Sequence, residues 1–192
     1  MATVGYDLYL KMIDETIHEM QGTAVPPPVQ TRIELTLDAY LPADYVTGDS
    51  MRIEMYKKIA EVRDDESRDD IIDELIDRFG DPGKPVMNLI YIAQLKSMCE
   101  RLYIDNVSRK DDVLLMRFTE DAKIDLTLLL KSVAEDKRLK FLPRKPGYLA
   151  FSGGKSSIEK MIVDCTKALD VLIDKLGVRE EPKKADEENE EG

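Results

Sequence analysis

The sequence is poor in the side chains from which most catalytic and metal sites are built. It has one histidine, two cysteines and no tryptophan in 192 residues. His18 falls on the polar side of a predicted helix beside Glu19, without the positioned partner that base catalysis requires. Cys99 and Cys165 are far apart in the chain, frame neither a disulfide scaffold nor a zinc site, and read as small residues at helical positions; a reducing cytoplasm fits that usage. No apolar run approaches the roughly 20 residues that a membrane helix needs. The first six residues lack the basic-then-apolar order of a secretion signal. Basic residues are the minority charge, 28 against 39 acidic, for a net charge of −11. Most of such a surface repels phosphate polymers.

What the chain does contain is apolar periodicity. Hydrophobic residues make up 43% of it, enough for one core or for two small lobes sharing an interface. Tyr6, Tyr9, Leu10, Ile13, Ile17 and Met20 share one face of a helix that Gly22 and Pro26–Pro28 bring to an end. Residues 30–39 alternate like a half-buried strand through Ile33, Leu35 and Leu37. Three helices are predicted next, over about 50–63, 67–79 and 85–101, with Ser67 as a cap, Gly80 as a stop and Pro85 in a first turn. The period then becomes two over 103–108 and 113–119, helical over 125–134, and two again over 139–142 and 148–151. A long helix over 157–176 follows, closed by Gly177.

This pattern predicts an α+β chain. A helical lobe with one strand, residues 23–101, precedes a ββαββα lobe, residues 102–178, with a four-stranded, mostly antiparallel sheet and a long final helix. Residues 179–192, with seven acidic and three basic side chains and almost nothing apolar, are expected to be a disordered acidic tail.

No motif for chemistry survives inspection. Ser152–Ser156, reading SGGKS, resembles part of a phosphate-binding loop, but the position that needs the first glycine is Leu149. Its glycines are better read as a strand-to-helix turn, followed by a capping box from Ser156 and Glu159. The acidic stretch Asp64–Asp70 lacks the alternating carboxylates and central glycine of a calcium loop and reads as a charged first helical turn. No catalytic residue, cofactor or metal is therefore expected. Arg138, Lys140, Arg144, Lys145 and Lys155 gather around the second predicted strand pair and leave open an alternative reading, contact with nucleic acid.

Three segments carry a resemblance: Val4–Ile17, reading VGYDLYLKMIDETI; Ala39–Val46, reading AYLPADYV, with Arg52–Ile59, reading RIEMYKKI; and Glu74–Pro82, reading ELIDRFGDP, with Pro85–Leu89. In this order and spacing, over residues 4–105, the chain resembles the C-terminal domain of the bacterial transcription-repair coupling factor family. Thr47–Asp49 and Gly83–Lys84 depart from the family's usual loops. The resemblance implies a domain of an ATP-driven DNA translocase that displaces stalled RNA polymerase and recruits the excision-repair protein UvrA. Residues 1–22 would be a linker helix following the motor. The domain itself would be no enzyme: it would dock on a UvrB-like N-terminal module of the same protein, mask the UvrA surface and restrain the motor. DNA would be met only by the full-length motor. Arg52, Tyr56, Lys57, Asp77 and Arg78 are the candidate partner-binding residues, because Arg and Tyr are enriched at interfaces and these positions end or line the helices of the matching segments.

Overall fold

The computed structural model describes residues 29–178; the expected first helix with His18, the proline run and the acidic tail lie outside them. The elements are β1 (Arg32–Glu34), α1 (Asp49–Ala60), α2 (Asp65–Phe79), α3 (Lys84–Arg101), β2 (Ile104–Lys110), β3 (Val113–Phe118), α4 (Leu126–Val133), β4 (Leu139–Leu142), β5 (Tyr148–Ser152) and α5 (Ile158–Leu176). Among the described residues, helices and a single sheet make an α+β fold, and the ββαββα order of the second half stands as its periodicities predict.

One strand is placed differently. The segment expected to stay with the helices adds a fifth strand to the sheet, in the order β1-β2-β3-β5-β4. β1 runs parallel to β2, with Ile33 opposite Val107, while the other pairs are antiparallel. Parallel pairing needs a long crossover, which α1–α3 supply. Thr31 fixes the register by donating its hydroxyl to the Ile104 carbonyl oxygen at 2.6 Å. The strand is shorter than its alternation implies. After Leu35 the chain turns toward the helices, where the Tyr40 N–H donates to the Pro85 carbonyl.

Local chemistry sets the helix ends. α2 starts at Asp65 rather than near Ser67. Asp64 is its N-cap and accepts from the Ser67 N–H at 2.9 Å, and the Ser67 hydroxyl reciprocates at the Asp64 backbone, so Ser67 is the third residue of the helix. At α5 the cap is Ser157, which accepts from the Lys160 N–H, and not Ser156. The Ser156 hydroxyl instead donates to the Gly153 carbonyl and closes the turn. A Cβ at Gly153 would lie 2.6 Å from Met161 Cγ, so this glycine is what lets the strand exit pass under α5.

Buried apolar side chains form two clusters. One joins Leu41, Val46, Met55, Ile59, Ile71 and Leu75 to Val86, Leu89 and Ile90 of α3. The second fills the space between one sheet face and the helices: Ile104, Val107, Leu114, Met116, Leu149 and Phe151 meet Leu95 and Met98 of α3, Leu129 of α4 and Leu169 of α5. Helix α3 therefore runs through both. Gln94 donates to Asp65 at 2.8 Å and Arg101 donates to the Arg63 carbonyl at 2.7 Å, strapping the α1–α2 connection onto it. Cys99 and Cys165 are both buried, and burial pushes their thiols up.

Candidate protein-interaction site

The candidate residues sit on α1 and α2, and the spacing within each helix decides which way they face. Met55 and Ile59 point into the core, which leaves Glu54 and Lys58 facing α2, and Arg52 and Tyr56 facing the loop that precedes α1. The Tyr56 hydroxyl accepts from the Leu41 N–H at 2.9 Å, and its half-buried ring packs on the helical core. Its role here is to hold the loop. Arg52 pairs with Asp49 and donates to the Val46 carbonyl at 3.3 Å, with 22% of its side chain exposed. It caps the same loop from below.

Arg78 lies on a different flank. It donates to Glu74 at 2.5 Å and approaches Glu54 at 3.4 Å. Lys58 completes the arrangement, 2.6 Å from Glu74 and 3.8 Å from Glu54. Two carboxylates and two cations thus alternate across the α1–α2 seam. Hydrogen bonds from Lys58, then Arg78, hold the Glu74 carboxyl below the usual carboxylate range, and Glu74 in turn reinforces the charge of Arg78. Lys57 and Asp77 are exposed beside this seam.

The five candidates do not converge on one patch. Arg78, Asp77 and Lys57 present charge to solvent at or beside the seam, whereas Arg52 and Tyr56 serve the loop. Glu54, Lys58 and Glu74 join the site without being among the candidates that the sequence offers. Their signal was there: Glu54 and Lys58, like Glu74 and Arg78, stand four residues apart, the spacing that pairs charges along a helix. Phe79 anchors the end of α2. Its ring centroid is 5.9 Å from that of Tyr45, whose hydroxyl donates to the Gly80 carbonyl at 2.8 Å.

The basic residues of the second strand pair differ in their partners. Arg138 is held by Asp136 at 2.7 Å and lies over the Phe151 ring, and Arg144 lies 5.9 Å from the Tyr148 ring centroid. Lys140, Lys145 and Lys155 are exposed. Among the described residues, no group of His, Cys, Asp or Glu is arranged to hold a metal ion, and no helix is long and apolar enough to cross a membrane.

A family model, the TRCF domain, matches residues 35–129, which contain both α1 and α2. A transcription-repair-coupling factor of Bacillus subtilis is 33% identical over 125 residues, 65% of this chain and 11% of that protein. One of Staphylococcus haemolyticus is 42% identical over 96 residues, 49% of this chain and 8% of that protein. The chain thus spans about a tenth of the length of these relatives. A solved structure described as the C-terminal domain of transcription-repair coupling factor superposes with a TM-score of 0.68 at 24% identity, covering 79% of this chain and 96% of that one. Residues 35–129 belong to the TRCF domain family, and the chain has the fold of the C-terminal domain of a transcription-repair coupling factor.

Proposed function

We propose that residues 23–178 form a regulatory domain that docks on the UvrB-like N-terminal module of its own full-length protein, with residues 1–22 leading in from the motor. Docking masks the surface that binds UvrA and restrains the DNA translocase. Engagement of stalled RNA polymerase releases it. The protein works in the cytoplasm, and DNA is handled by the motor elsewhere in the full-length chain.

The observation that carries this reading is the charged α1–α2 seam inside the TRCF domain match. A contact that must open and close within one protein is modest in area and fairly polar. The seam offers such a surface: Glu54, Lys58, Glu74 and Arg78 are already paired, so docking does not strand a buried charge, and Lys57 and Asp77 flank them in solvent. We assign Lys57, Asp77 and Arg78 to the contact itself, and Arg52 and Tyr56 to support of the loop beside it.

The test is the UvrA affinity of the full-length protein. Lys57→Glu and Asp77→Arg are changes at exposed residues outside the ion pairs of the seam, expected to alter stability by only about 0.5 kcal/mol. Each raises UvrA binding in the absence of RNA polymerase while leaving the melting temperature nearly unchanged. Deleting the domain raises it further. If the deletion leaves UvrA affinity at the wild-type level, masking is wrong; if only the point variants do, the surface is wrong.

A further inference from the structure

The sheet has two faces, and its register separates them. Leu114, Phe151 and Leu139 align across β3, β5 and β4 on the face that meets α3, α4 and α5. One residue on, Leu115, Ala150 and Lys140 align on the opposite face, and Arg117, Tyr148 and Leu142 align beside them. Helices α1 and α2 belong to the other core, which holds no residue of β2–β5. Among the described residues, then, no helix covers the second face.

The open side of an antiparallel sheet ordinarily presents polar side chains to water. This one presents a continuous apolar strip. Val113, Leu115, Leu142 and Tyr148 are half-buried, and with Ala150 they floor a groove of about 350 Å³. Lys110 and Asp111 close one end at the β2–β3 turn, and Arg144 closes the other just past β4. Lys140 is exposed beside Ala150 on the β4 flank. Arg117 is held by Asp105 at 2.8 Å, and Arg32 and Glu34, two strands away, pair with each other. Lys110, Lys140 and Arg144 form no ion pair among the described residues. The rim thus carries three unpaired cations against one carboxylate, that of Asp111.

Backbone, size and charge each select the occupant. β3 is hydrogen-bonded to β2 and β5, and β5 to β3 and β4, so the floor offers no free edge to an extended peptide. A helix satisfies its own backbone. From Val113 to Arg117 the strip runs about 13 Å along the strand, the length of roughly nine helical residues, and a helix about 10 Å across covers two strand spacings. The floor is aliphatic apart from Tyr148, and lacks the succession of rings on which single-stranded bases stack. Asp111 at the rim also opposes a phosphate chain. A second copy laid face to face would set the same three cations against one another, whereas an acidic helix meets them with the opposite charge.

We infer that the β3–β5 face is a second docking surface, which takes an amphipathic helix of a partner protein. The helix lays an aliphatic stripe over Val113, Leu115, Leu142 and Tyr148 and turns acidic flanks toward Lys110, Lys140 and Arg144. This surface is distinct from the α1–α2 seam and does not depend on the masking account.

The experiment measures fluorescence anisotropy with the full 192-residue chain as receptor. The probe is a labelled peptide of about ten residues, stapled as a helix, with leucines on one face and glutamates flanking them. It is expected to bind at least about tenfold more tightly than its counterpart with lysine in place of glutamate. Lys110→Glu combined with Arg144→Glu, both at exposed residues, is expected to abolish or reverse that preference without moving the melting temperature. Leu115→Asp is expected to cost at least about tenfold in affinity for the glutamate peptide; if it unfolds the sheet, the charge reversal alone decides. The absence of saturable binding by the glutamate peptide overturns the proposal. So do equal affinities for the two peptides, and a preference that survives the charge reversal. Binding of an oligothymidylate that the same reversal abolishes overturns it in favour of a nucleic-acid surface. A chain that sediments as a dimer until Leu115 is changed overturns it in favour of self-association.

Discussion

Leu75→Ala opens a hole in the middle of the helical core. Leu75 is fully buried on α2, in the cluster that Met55, Ile59 and Leu89 share. Removing three methyl-sized groups there loses their transfer free energy and leaves a cavity that close-packed neighbours fill only in part, at a cost of about 2–5 kcal/mol. For a chain of this size each kcal/mol lowers the melting temperature by roughly 2–4 °C, so the expected fall is on the order of 5–20 °C. The size of the fall is only half of the prediction. Helix α3 contributes Leu89 and Ile90 to this core and Leu95 and Met98 to the sheet core. It cannot unfold beside one and stay folded beside the other. The two cores are therefore expected to melt together, as one cooperative transition displaced to lower temperature. Calorimetry read against far-ultraviolet circular dichroism checks both points. A shift below about 2 °C would refute the packing argument, and two separated transitions would refute the coupling through α3.

Two further perturbations follow. Tyr56→Phe keeps the ring but strips the acceptor from the Leu41 N–H, so it should cost about 1–3 kcal/mol in chemical denaturation; a cost of a few tenths would mean that water replaces the hydroxyl and that the residue does not hold the loop. The carboxyls of Glu74, Asp64 and Asp136 are all held below their ordinary range, foremost by hydrogen bonds from Lys58, Ser67 and Arg138 respectively. Near and below that range the unfolded chain binds more protons than the folded one. The stability these groups contribute is thus complete above the unfolded values and lost as pH falls through the folded ones. Melting temperatures taken from about pH 6 to about pH 3 should decline, and Glu74→Gln should flatten part of that decline; a profile the same in both proteins would remove Glu74 from the account.

Local periodicity made most of the elements legible. Ile71, Leu75 and Phe79 announce α2, and Val113–Phe118 alternates cleanly between the two sheet faces. What the sequence hid is long-range. The pairing of Ile33 with Val107 spans the whole helical half, and parallel pairing leaves no turn signature in the chain, so local pattern groups β1 with its sequence neighbours rather than with the sheet. α3 is buried nearly all round, from Val86 to Cys99, which conceals that its two ends serve different cores. The same limit applies to the candidate site. Spacing within α1 relates Arg52 to Tyr56, but only the packing of α1 on α2 decides that Arg78 meets Glu54 and that Arg52 does not join them. Helix ends moved by one or two residues for a local reason: several adjacent Asp and Ser side chains could serve as caps, and backbone geometry chose Asp64 and Ser157.

The docking account stands or falls on one binding measurement: titration of this 192-residue chain into the separately expressed UvrB-like module, followed by calorimetry at low and at high salt. The account predicts a one-to-one complex that weakens with salt, loses at least about tenfold in affinity (roughly 1.4 kcal/mol) when Lys57→Glu and Asp77→Arg are combined, and is displaced by UvrA. A complex whose affinity ignores both substitutions would contradict the α1–α2 surface, and the absence of any complex would contradict docking itself.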